Sequence, residues 1–391
     1  MDKPAISGGR PLFGQILPLI KPTLFDPIEV IAELKEIFSS GSVTVSKYVK
    51  QFEDMCAEYL GVKNAVAVSS ATSGLILAVK SLGLRGEMIV PSFTFTATVH
   101  SLIWNNIRPV FVDCEEKTFN IDVTKIEEQI TSRTSAIMPV YIFGNPPRIK
   151  ELERIAKRNN LKLIFDSAQA FGAEYQGIRA GGFGDCEVFS LSPTKVLTAI
   201  EGGLITTNNV KLAEYLRRAR DYGKRGEDIE CVGLSARMSE LHALVGLKNL
   251  GNLEKCLKTR RDLIALYQGL LKDIDGISFQ RVLHGNKSSG NYMVIFIDEE
   301  RFGMSRDKLY EALKAKNIET KKYFYPAVHM QEAYRAFRER YEGKLPVTEK
   351  ASQTGLALPL YGHIEPVSIE KVCGVIMRIH KFMNEKIEAR R

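Results

Sequence analysis

Hydrophobic and polar positions repeat with two different periods along the chain, and together they predict alternating helices and strands. Residues 49–60, VKQFEDMCAEYL, carry apolar side chains at helical spacing and are followed by Gly61, a residue that favours a helix end. Short apolar runs such as AVAVS, MIVP and PVFVDC have the length and composition of buried strands. The segments SGLILAVKSLG and TATVHSLIWNN separate these runs and are predicted to be helices.

The alternation continues through the strand SAIMPVYIF, the helix RIKELERIAKRNN and the strand LKLIFD, with one further helix predicted around residues 124–130. Strands that are apolar throughout and separated by helices predict a mostly parallel sheet with helices on both faces. After about residue 250 the alternation weakens. A long charged helix, the strand NYMVIFID, the helix RDKLYEALKAKN and a final helix from about residue 367 predict a smaller α+β unit.

The length of 391 residues exceeds the size at which one hydrophobic core keeps growing, so two domains are expected. We predict an N-terminal arm and a large α/β domain in residues 1–250, and a small C-terminal α+β domain in residues 251–391. Hydrophobic residues make up 45% of the chain and charged residues 26%, which is ordinary globular composition and argues against disorder.

The chain carries 54 basic and 46 acidic residues, and the resulting formal charge of +8 favours an acidic ligand. The densest basic cluster, residues 211–225, lacks interleaved aromatic residues and matches no groove-reading motif, so we expect a solvated helix face and no nucleic-acid partner. The six cysteines form no CxxC pair, which argues against a metal site and fits the reducing cytoplasm. No run reaches the roughly 18 apolar residues of a membrane span, and the first residues show no apolar export signal.

Candidate chemistry centres on Lys195, which follows a turn between two strand-like runs in FSLSPTKVLTAIEGGLITT. A lysine there can form a Schiff base with an aldehyde, and Asp166, at the end of the strand LKLIFD, can bind a protonated pyridine nitrogen. Gln169 follows three residues later. These are the minimum requirements for pyridoxal phosphate chemistry. A solvated lysine, and an aspartate that caps the next helix, are the structural alternatives.

Other polar residues follow neighbouring strands. In Ser70–Ala71–Thr72, backbone amides and hydroxyls at a helix start can bind a phosphate, although the same residues also suit a simple helix cap. Phe95, in PSFTFTAT, can stack on a planar ring or belong to the core, and the Ser190 hydroxyl can face a phosphate. Because the carboxyl ends of parallel strands meet at one edge of a sheet, we expect these groups to lie together.

Seven motifs, in order, resemble those of the nucleotide-sugar aminotransferases of the DegT/StrS type, a branch of the fold type I pyridoxal phosphate enzymes. They are SSATSGL, PSFTFTAT, DSAQAFGAEYQG, FSLSPTK, EGG, GLSARMSELHALVGL and YFYPAVHMQEAYR. The resemblance extends from about residue 8 to the C-terminal helix. It implies a fold type I transferase that binds pyridoxal 5′-phosphate and forms a homodimer with a shared active site.

The resemblance also implies roles for individual residues. Lys195 matches the lysine that holds the cofactor as a Schiff base and moves protons during transfer. The implied cofactor-binding residues are Ser70, Ala71, Thr72, Phe95, Asp166, Gln169, Ser190, Lys195 and, from the other subunit, Ser235. Tyr325 and His329, in YFYPAVH, match positions near the sugar substrate. Arg237 is a candidate for binding the donor's carboxylate or, equally, for an interface salt bridge.

Several positions depart from the family's usual residues. The segment commonly written GYNYRM is GLSARM here, so Ser235 replaces an asparagine, and Leu234 and Ala236 replace tyrosines. Tyr141 stands where many members have a histidine, and Ala71 replaces a glycine of the phosphate-binding turn. We expect these changes to affect the choice of substrate rather than the core chemistry.

The implied reaction transfers an amino group from an amino acid, L-glutamate by resemblance, to a ketone on a nucleotide-linked sugar. The product would be an amino sugar for polysaccharide, glycan or secondary-metabolite biosynthesis. The sequence leaves three alternatives. A sugar dehydratase of the same fold has histidine in place of the lysine, which Lys195 argues against. A sulfur-transfer, aldolase or other lyase enzyme of this fold is a second, and a nucleic-acid-binding regulator acting through the basic helix near Arg217 is a third.

Overall fold

The computed structural model describes residues 11–388. The first residues of the predicted N-terminal arm and of the resemblance, 1–10, lie outside the described residues, as do 389–391. A seven-stranded sheet forms the centre of the N-terminal part, in the order β1-β7-β6-β5-β4-β2-β3. Its strands are β1 (Asn64–Val68), β2 (Glu87–Pro91), β3 (Arg108–Val112), β4 (Thr134–Ile137), β5 (Lys162–Asp166), β6 (Cys186–Ser190) and β7 (Gly203–Thr207).

Neighbouring strands from β3 through β6 pair in parallel, which confirms the predicted mostly parallel sheet. Strand β7 is the exception, since it runs antiparallel to both β6 and β1. Helices α1 to α7 accompany this sheet. They are α1 (Ile31–Ser40), α2 (Lys47–Leu60), α3 (Ala71–Ser81), α4 (Thr96–Ile103), α5 (Ile149–Arg158), α6 (Val210–Ala219) and α7 (Glu240–Gly251).

Both faces of the large sheet are buried, which explains why its strands are apolar throughout. Successive residues of β5 belong to different apolar clusters: Ile164 to one and Phe165 to the other. In β1, Val66 and Ala67 divide in the same way. Because side chains alternate across a strand, this division places one cluster on each face of the sheet.

Two predicted elements differ from the structure. Residues 124–130 form two 3-10 turns, Val123–Lys125 and Glu127–Gln129, the first opened by the Asp122 carboxylate, which accepts a hydrogen bond from the amide of Thr124. The predicted strand SAIMPVYIF ends as a regular strand at Ile137, because Pro139 has no amide proton to continue the ladder.

A second, three-stranded antiparallel sheet lies in the C-terminal part, in the order β8-β9-β10. Its strands are β8 (Ile277–Phe279), β9 (Met293–Ile297) and β10 (Gly355–Leu358). The accompanying helices are α8 (Leu253–Leu271), α9 (Glu299–Phe302), α10 (Arg306–Lys314), α11 (Arg335–Tyr341), α12 (Pro346–Thr354) and α13 (Pro366–Glu388). The sheet and its helices form the predicted smaller α+β arrangement.

The division near residue 250 stays a prediction, because helix α8 contributes to the cores of both parts. Leu257 packs in a cluster of the large sheet, whereas Tyr267, farther along the same helix, packs beneath the second sheet.

The described part of the N-terminal arm packs partly on the second sheet and partly on the large domain, where Leu19 shares an apolar cluster with Phe93. Leu17 belongs to the second sheet's cluster and bridges Ile318. The Leu19 carbonyl accepts a hydrogen bond from the amide of Leu360 at 2.9 Å.

Among residues 11–388, no helix combines the length and apolar character needed to cross a membrane. Over the same residues, no group of three or more histidine, cysteine, aspartate or glutamate side chains is arranged to hold a metal ion.

Candidate active site

Three strand ends meet at one edge of the large sheet and bring the predicted site residues together. Ser190, at the end of β6, pairs with Gly203, which in turn pairs with Val68 at the end of β1. Asp166, at the end of β5, pairs with Val188 of β6. The turn that begins at Ser70 therefore lies at the same edge as Asp166 and Ser190.

Gly203 lets strand β7 approach the Ser70 turn closely. A Cβ atom at this position would lie 2.5 Å from the Ser70 carbonyl oxygen and 2.6 Å from the Ala71 nitrogen, closer than real Cβ atoms come to backbone. The glycine of the EGG motif therefore has a steric role beside the predicted phosphate-binding turn.

Asp166 is a buried carboxylate with two hydrogen-bond donors. Its Oδ2 accepts a 2.6 Å bond from Thr98 Oγ1, and its Oδ1 accepts a 3.1 Å bond from the amide of Ala168. Burial raises its pKa, while these two hydrogen bonds and the charge of Lys195 act in the opposite direction. A protonated ring nitrogen placed against this carboxylate would supply the cation that a buried anion needs.

Gln169 is buried beside Asp166 and held from two sides. Its side-chain Oε1 accepts a 2.9 Å hydrogen bond from the amide of Phe143, and its backbone carbonyl accepts a 2.6 Å bond from the hydroxyl of Ser289. The Gln169 side chain is thus fixed in orientation before any ligand binds.

The Ser70 turn is both a helix cap and a possible anion site. Ser70 Oγ accepts a 3.1 Å hydrogen bond from the amide of Ser73 and so caps helix α3. The amides of Ala71 and Thr72 open the helix and have no partner within it, so they remain suited to a phosphate. The capping and phosphate-binding interpretations are therefore compatible.

Hydroxyl groups connect the end of β6 to Lys195. Ser190 Oγ donates to Ser192 Oγ at 3.3 Å, and Ser192 Oγ lies 3.3 Å from Thr194 Oγ1. Lys195 Nζ lies 3.4 Å from the hydroxyl of Tyr292, a residue of the C-terminal part. Lys195 also lies close enough to Asp166 for its charge to act on that carboxylate.

The aromatic candidates differ in exposure. Phe93 is fully buried against Phe119 and Phe143, whereas Phe95, at the start of helix α4, is 55% exposed and free to stack on a ring. Tyr325 is 51% exposed, and the Arg306 guanidinium carbon lies 4.8 Å from its ring centroid. Phe95 and Tyr325 therefore both present aromatic surface to an incoming ligand.

Arg237 and Ser235 lie beside the Ser70 turn of the same chain, because the Arg237 backbone bridges Val68. The Arg237 guanidinium pairs with Asp221, and its carbon lies 5.2 Å from the centroid of the Tyr222 ring. Hydrogen bonds with Ser235 and Arg237 lower the pKa of Tyr222. In this chain Arg237 already has a carboxylate partner, and Ser235 is exposed.

His329, predicted near the sugar substrate, is buried behind the strand end at Ser92 in the structure. The ring is fully buried, with Nδ1 2.7 Å from Ser92 Oγ and Nε2 3.5 Å from Glu349. Burial lowers its pKa and favours the neutral ring. A position within a motif does not reveal whether a side chain points outward, and this one supports the strand end at Ser92.

Two residues that contact Asp166 and Lys195 are not predicted by the sequence motifs. Thr98, in helix α4, donates to Asp166, and its hydroxyl lies 2.8 Å from that of Thr94, just before the helix. The spacing of these two threonines was the one available sign in the sequence. Tyr292 has no local signal, because it is 97 residues from Lys195 along the chain.

The residues at this edge fit pyridoxal phosphate. A buried carboxylate suits the ring nitrogen, a helix start suits the phosphate, and an exposed aromatic side chain suits the ring face. A lysine at the same edge suits the aldehyde carbon. The fold and this set of groups define the chain as a pyridoxal phosphate enzyme with a mostly parallel α/β sheet.

Comparison with known proteins narrows the class. Residues 27–377 match the model of the DegT/DnrJ/EryC1/StrS aminotransferase family. A dTDP-4-amino-4,6-dideoxy-D-glucose transaminase of Escherichia coli is 32% identical, over 92% of this chain and 98% of its own. A GDP-perosamine synthase of Caulobacter vibrioides is 32% identical, over 86% of this chain and 91% of its own. The crystal structure of DesI with its TDP-sugar product matches with a TM-score of 0.92 and 32% identity, over 99% of both chains.

The chain belongs to the DegT/DnrJ/EryC1/StrS aminotransferase family. It is a pyridoxal phosphate-dependent aminotransferase, as the sequence resemblance implied.

Proposed function

We propose that this aminotransferase moves the amino group of an amino acid to a keto group on a nucleotide-linked sugar. The observation that carries the proposal is the meeting of Lys195 and buried Asp166 at one sheet edge, within a family whose named relatives act on nucleotide sugars. The excess of basic residues favours a substrate with a diphosphate. The product would be an amino sugar for polysaccharide, glycan or secondary-metabolite biosynthesis.

Bound pyridoxal phosphate would supply an electron sink next to the substrate carbon. The chain's own residues would hold the reacting groups and move the proton. Lys195 Nζ would take a proton from the donor's α carbon as a general base and return it, as a general acid, to the carbon that had been the cofactor's aldehyde. Asp166 would pair with the protonated ring nitrogen, and Thr98 holds its carboxylate in place.

The phosphate group would bind at the start of helix α3. The amides of Ala71 and Thr72 point toward the anion, where the helix dipole is positive. Ser70 and Ser190 add hydroxyls at the same edge. Phe95 would cover one face of the ring.

On the substrate side, exposed Tyr325 would contact the sugar nucleotide, with the guanidinium of Arg306 behind its ring. We assign no substrate contact to His329. Arg237 binds the donor's carboxylate only if that group displaces Asp221, so we favour a structural ion pair for Arg237 in the resting enzyme.

A homodimer with a shared active site is part of the proposal. The segment before helix α2 leaves apolar side chains open, with Ile28 72%, Ile31 45% and Phe38 67% exposed. Burying these side chains in a neighbouring copy would be favourable. Exposed Ser235 would then reach the neighbour's phosphate site.

The test supplies purified enzyme with L-glutamate and, in turn, UDP-, dTDP- and GDP-linked ketosugars, and detects the amine product by mass spectrometry. We expect an amino sugar from at least one of the substrates and none with Lys195→Ala, whose visible absorption band after cofactor addition should also be lost. Size-exclusion chromatography with light scattering tests the dimer. A protein that stays colourless with added cofactor would refute the proposal.

A further inference from the structure

The Lys195 amine lies within hydrogen-bond distance of the phenol of Tyr292, and several independent contacts fix that phenol. Tyr292 is 9% exposed, and its hydroxyl lies 3.4 Å from Lys195 Nζ and 3.4 Å from Thr194 Oγ1. The Lys195 nitrogen also lies 5.5 Å from the centroid of the Tyr292 ring. The ring of Tyr323 packs edge-on against it at 4.9 Å.

The backbone that carries Tyr292 is anchored on both sides. Asn291 Oδ1 accepts a 3.1 Å hydrogen bond from the amide of Val196, next to Lys195. The buried guanidinium of Arg260, in helix α8, donates to the carbonyls of Gly290 at 2.9 Å and Asn291 at 2.7 Å. A fully buried arginine is costly unless its donors are satisfied, so its use here indicates that the position of this segment matters.

We propose that Tyr292 is a catalytic residue that orients the ε-amino group of Lys195 and exchanges hydrogen bonds with it as the amine gains and loses its proton. This inference rests on the proposed role of Lys195 in amino transfer. Tyr292 comes from the C-terminal part of the chain, so the C-terminal part contributes directly to the reacting amine.

A hydroxyl suits this position because it is both donor and acceptor. When Nζ is a neutral amine, the phenol O–H donates to its lone pair. When Nζ has taken the proton from the substrate carbon, an N–H donates to the phenol oxygen, and the phenol O–H turns to Thr194 Oγ1. No net proton leaves the pair, and Nζ has a partner in both states.

The electrostatics agree with this arrangement. Burial acts to raise the pKa of Tyr292, but the charge of Lys195 and the hydrogen bonds with Thr194, Tyr323 and Lys195 together outweigh it, and the pKa of this phenol is lowered. The pKa of the neighbouring Tyr323 shifts in the opposite direction, because burial raises it and Tyr292 adds to the effect. Of the two phenols, Tyr292 is the one adapted to the amine.

The decisive variant is Tyr292→Phe, which keeps the ring and removes only the hydroxyl. Tyr267→Phe is the matched control, since Tyr267 is also buried and loses a hydroxyl that donates to the Pro359 carbonyl at 3.0 Å, within the second sheet's core. The first measurement adds pyridoxal phosphate to cofactor-free protein and follows covalent attachment by absorbance, with borohydride reduction and mass analysis of the Lys195 peptide. The second follows a single turnover with the amino donor.

We expect Tyr292→Phe to slow both attachment and turnover by about tenfold or more, with the donor's apparent affinity changed much less, as for a group that assists proton transfer. Tyr267→Phe should match the wild type. Equal rates for wild type and Tyr292→Phe would overturn the inference. If Tyr292→Phe does not fold, Asn291→Ala, which frees the segment but keeps the phenol, should slow the same two steps, and unchanged rates there would overturn it as well. A wild-type protein that does not attach the cofactor would instead refute the proposed function.

Discussion

Glu187 is a buried carboxyl group whose protonation should make the protein's stability depend on pH near neutrality. It lies in strand β6, fully buried. One carboxyl oxygen accepts hydrogen bonds from the amides of Gly181 at 2.6 Å and Phe183 at 3.0 Å, and the other accepts a 2.6 Å bond from Ser167. The hydroxyl of Tyr141 faces the same carboxyl group but, among residues 11–388, has no hydrogen-bond partner of ordinary geometry.

Burial raises the pKa of Glu187 from an ordinary value of 4.5 to about 7, although these hydrogen bonds oppose it. The folded protein therefore binds a proton that the unfolded chain has released between about pH 4.5 and pH 7. The contribution of this group to stability is complete below pH 4.5 and is lost as the pH rises through 7. A difference of about 2.5 in pKa corresponds to a loss of about 3 kcal/mol in the free energy of unfolding.

The perturbation is Glu187→Gln, because an amide resembles the protonated carboxyl group and does not titrate. Its oxygen can accept from Gly181 and Phe183, and its NH2 can donate to the Ser167 oxygen. Urea unfolding, measured from pH 4.5 to pH 8, should give the wild type and the variant similar free energies of unfolding at pH 4.5. At pH 8 the variant should be more stable than the wild type by up to about 3 kcal/mol. Parallel stability curves for the two proteins, or a variant that is less stable at pH 8, would refute the reasoning.

Three further changes test the site and its support. Thr98→Val removes the hydroxyl that donates to buried Asp166, and a hydrogen bond to a charged group is worth about 1.5–3 kcal/mol. Spectroscopic titration should therefore show cofactor affinity about tenfold to a hundredfold weaker. Thr98→Ser keeps the hydroxyl and should bind the cofactor normally. Gly203→Ala puts a methyl group against the Ser70 carbonyl, and we expect weaker binding of inorganic phosphate and of the cofactor in calorimetry; unchanged binding would contradict the assigned contact. Glu240→Ala removes the carboxylate that accepts hydrogen bonds from three backbone amides at the start of helix α2. Urea unfolding should show a loss of at least about 2 kcal/mol in the free energy of unfolding, and a smaller loss would count against this anchor.

The hydrophobic pattern was sufficient to predict most of the fold. Buried parallel strands are continuous apolar runs, and the helices that cover them end at recognisable residues such as glycine. Helix α2 was predicted at residues 49–60 and is found at Lys47–Leu60, ended by Gly61 in the left-handed conformation. The antiparallel direction of β7 was not predicted, since an apolar run such as GLITT has no directional signal. The site could be assembled from strand ends because the fold class places those ends at one edge.

Side-chain contacts between segments that are distant along the chain could not be predicted from the sequence. His329 lies in a motif whose spacing says nothing about which side faces the core, and Arg237 pairs with Asp221 across a loop. Tyr292 meets Lys195 only because the second sheet packs against the segments that follow the strand ends of the large sheet. The roles of the individual site residues remain predictions for the experiments above.

The segment around Leu17 contacts residues that come some three hundred positions later, and this separation sets an order on folding during synthesis. Leu17 leaves the ribosome early, but its partner Ile318 follows some three hundred residues later, and Leu360, which donates to Leu19, later still. Closing so long a loop is slow, and its contacts stabilise nothing until the loop is closed. The arm must therefore stay unpaired through most of translation, and a chain cut short before residue 360 would leave it without its final partner.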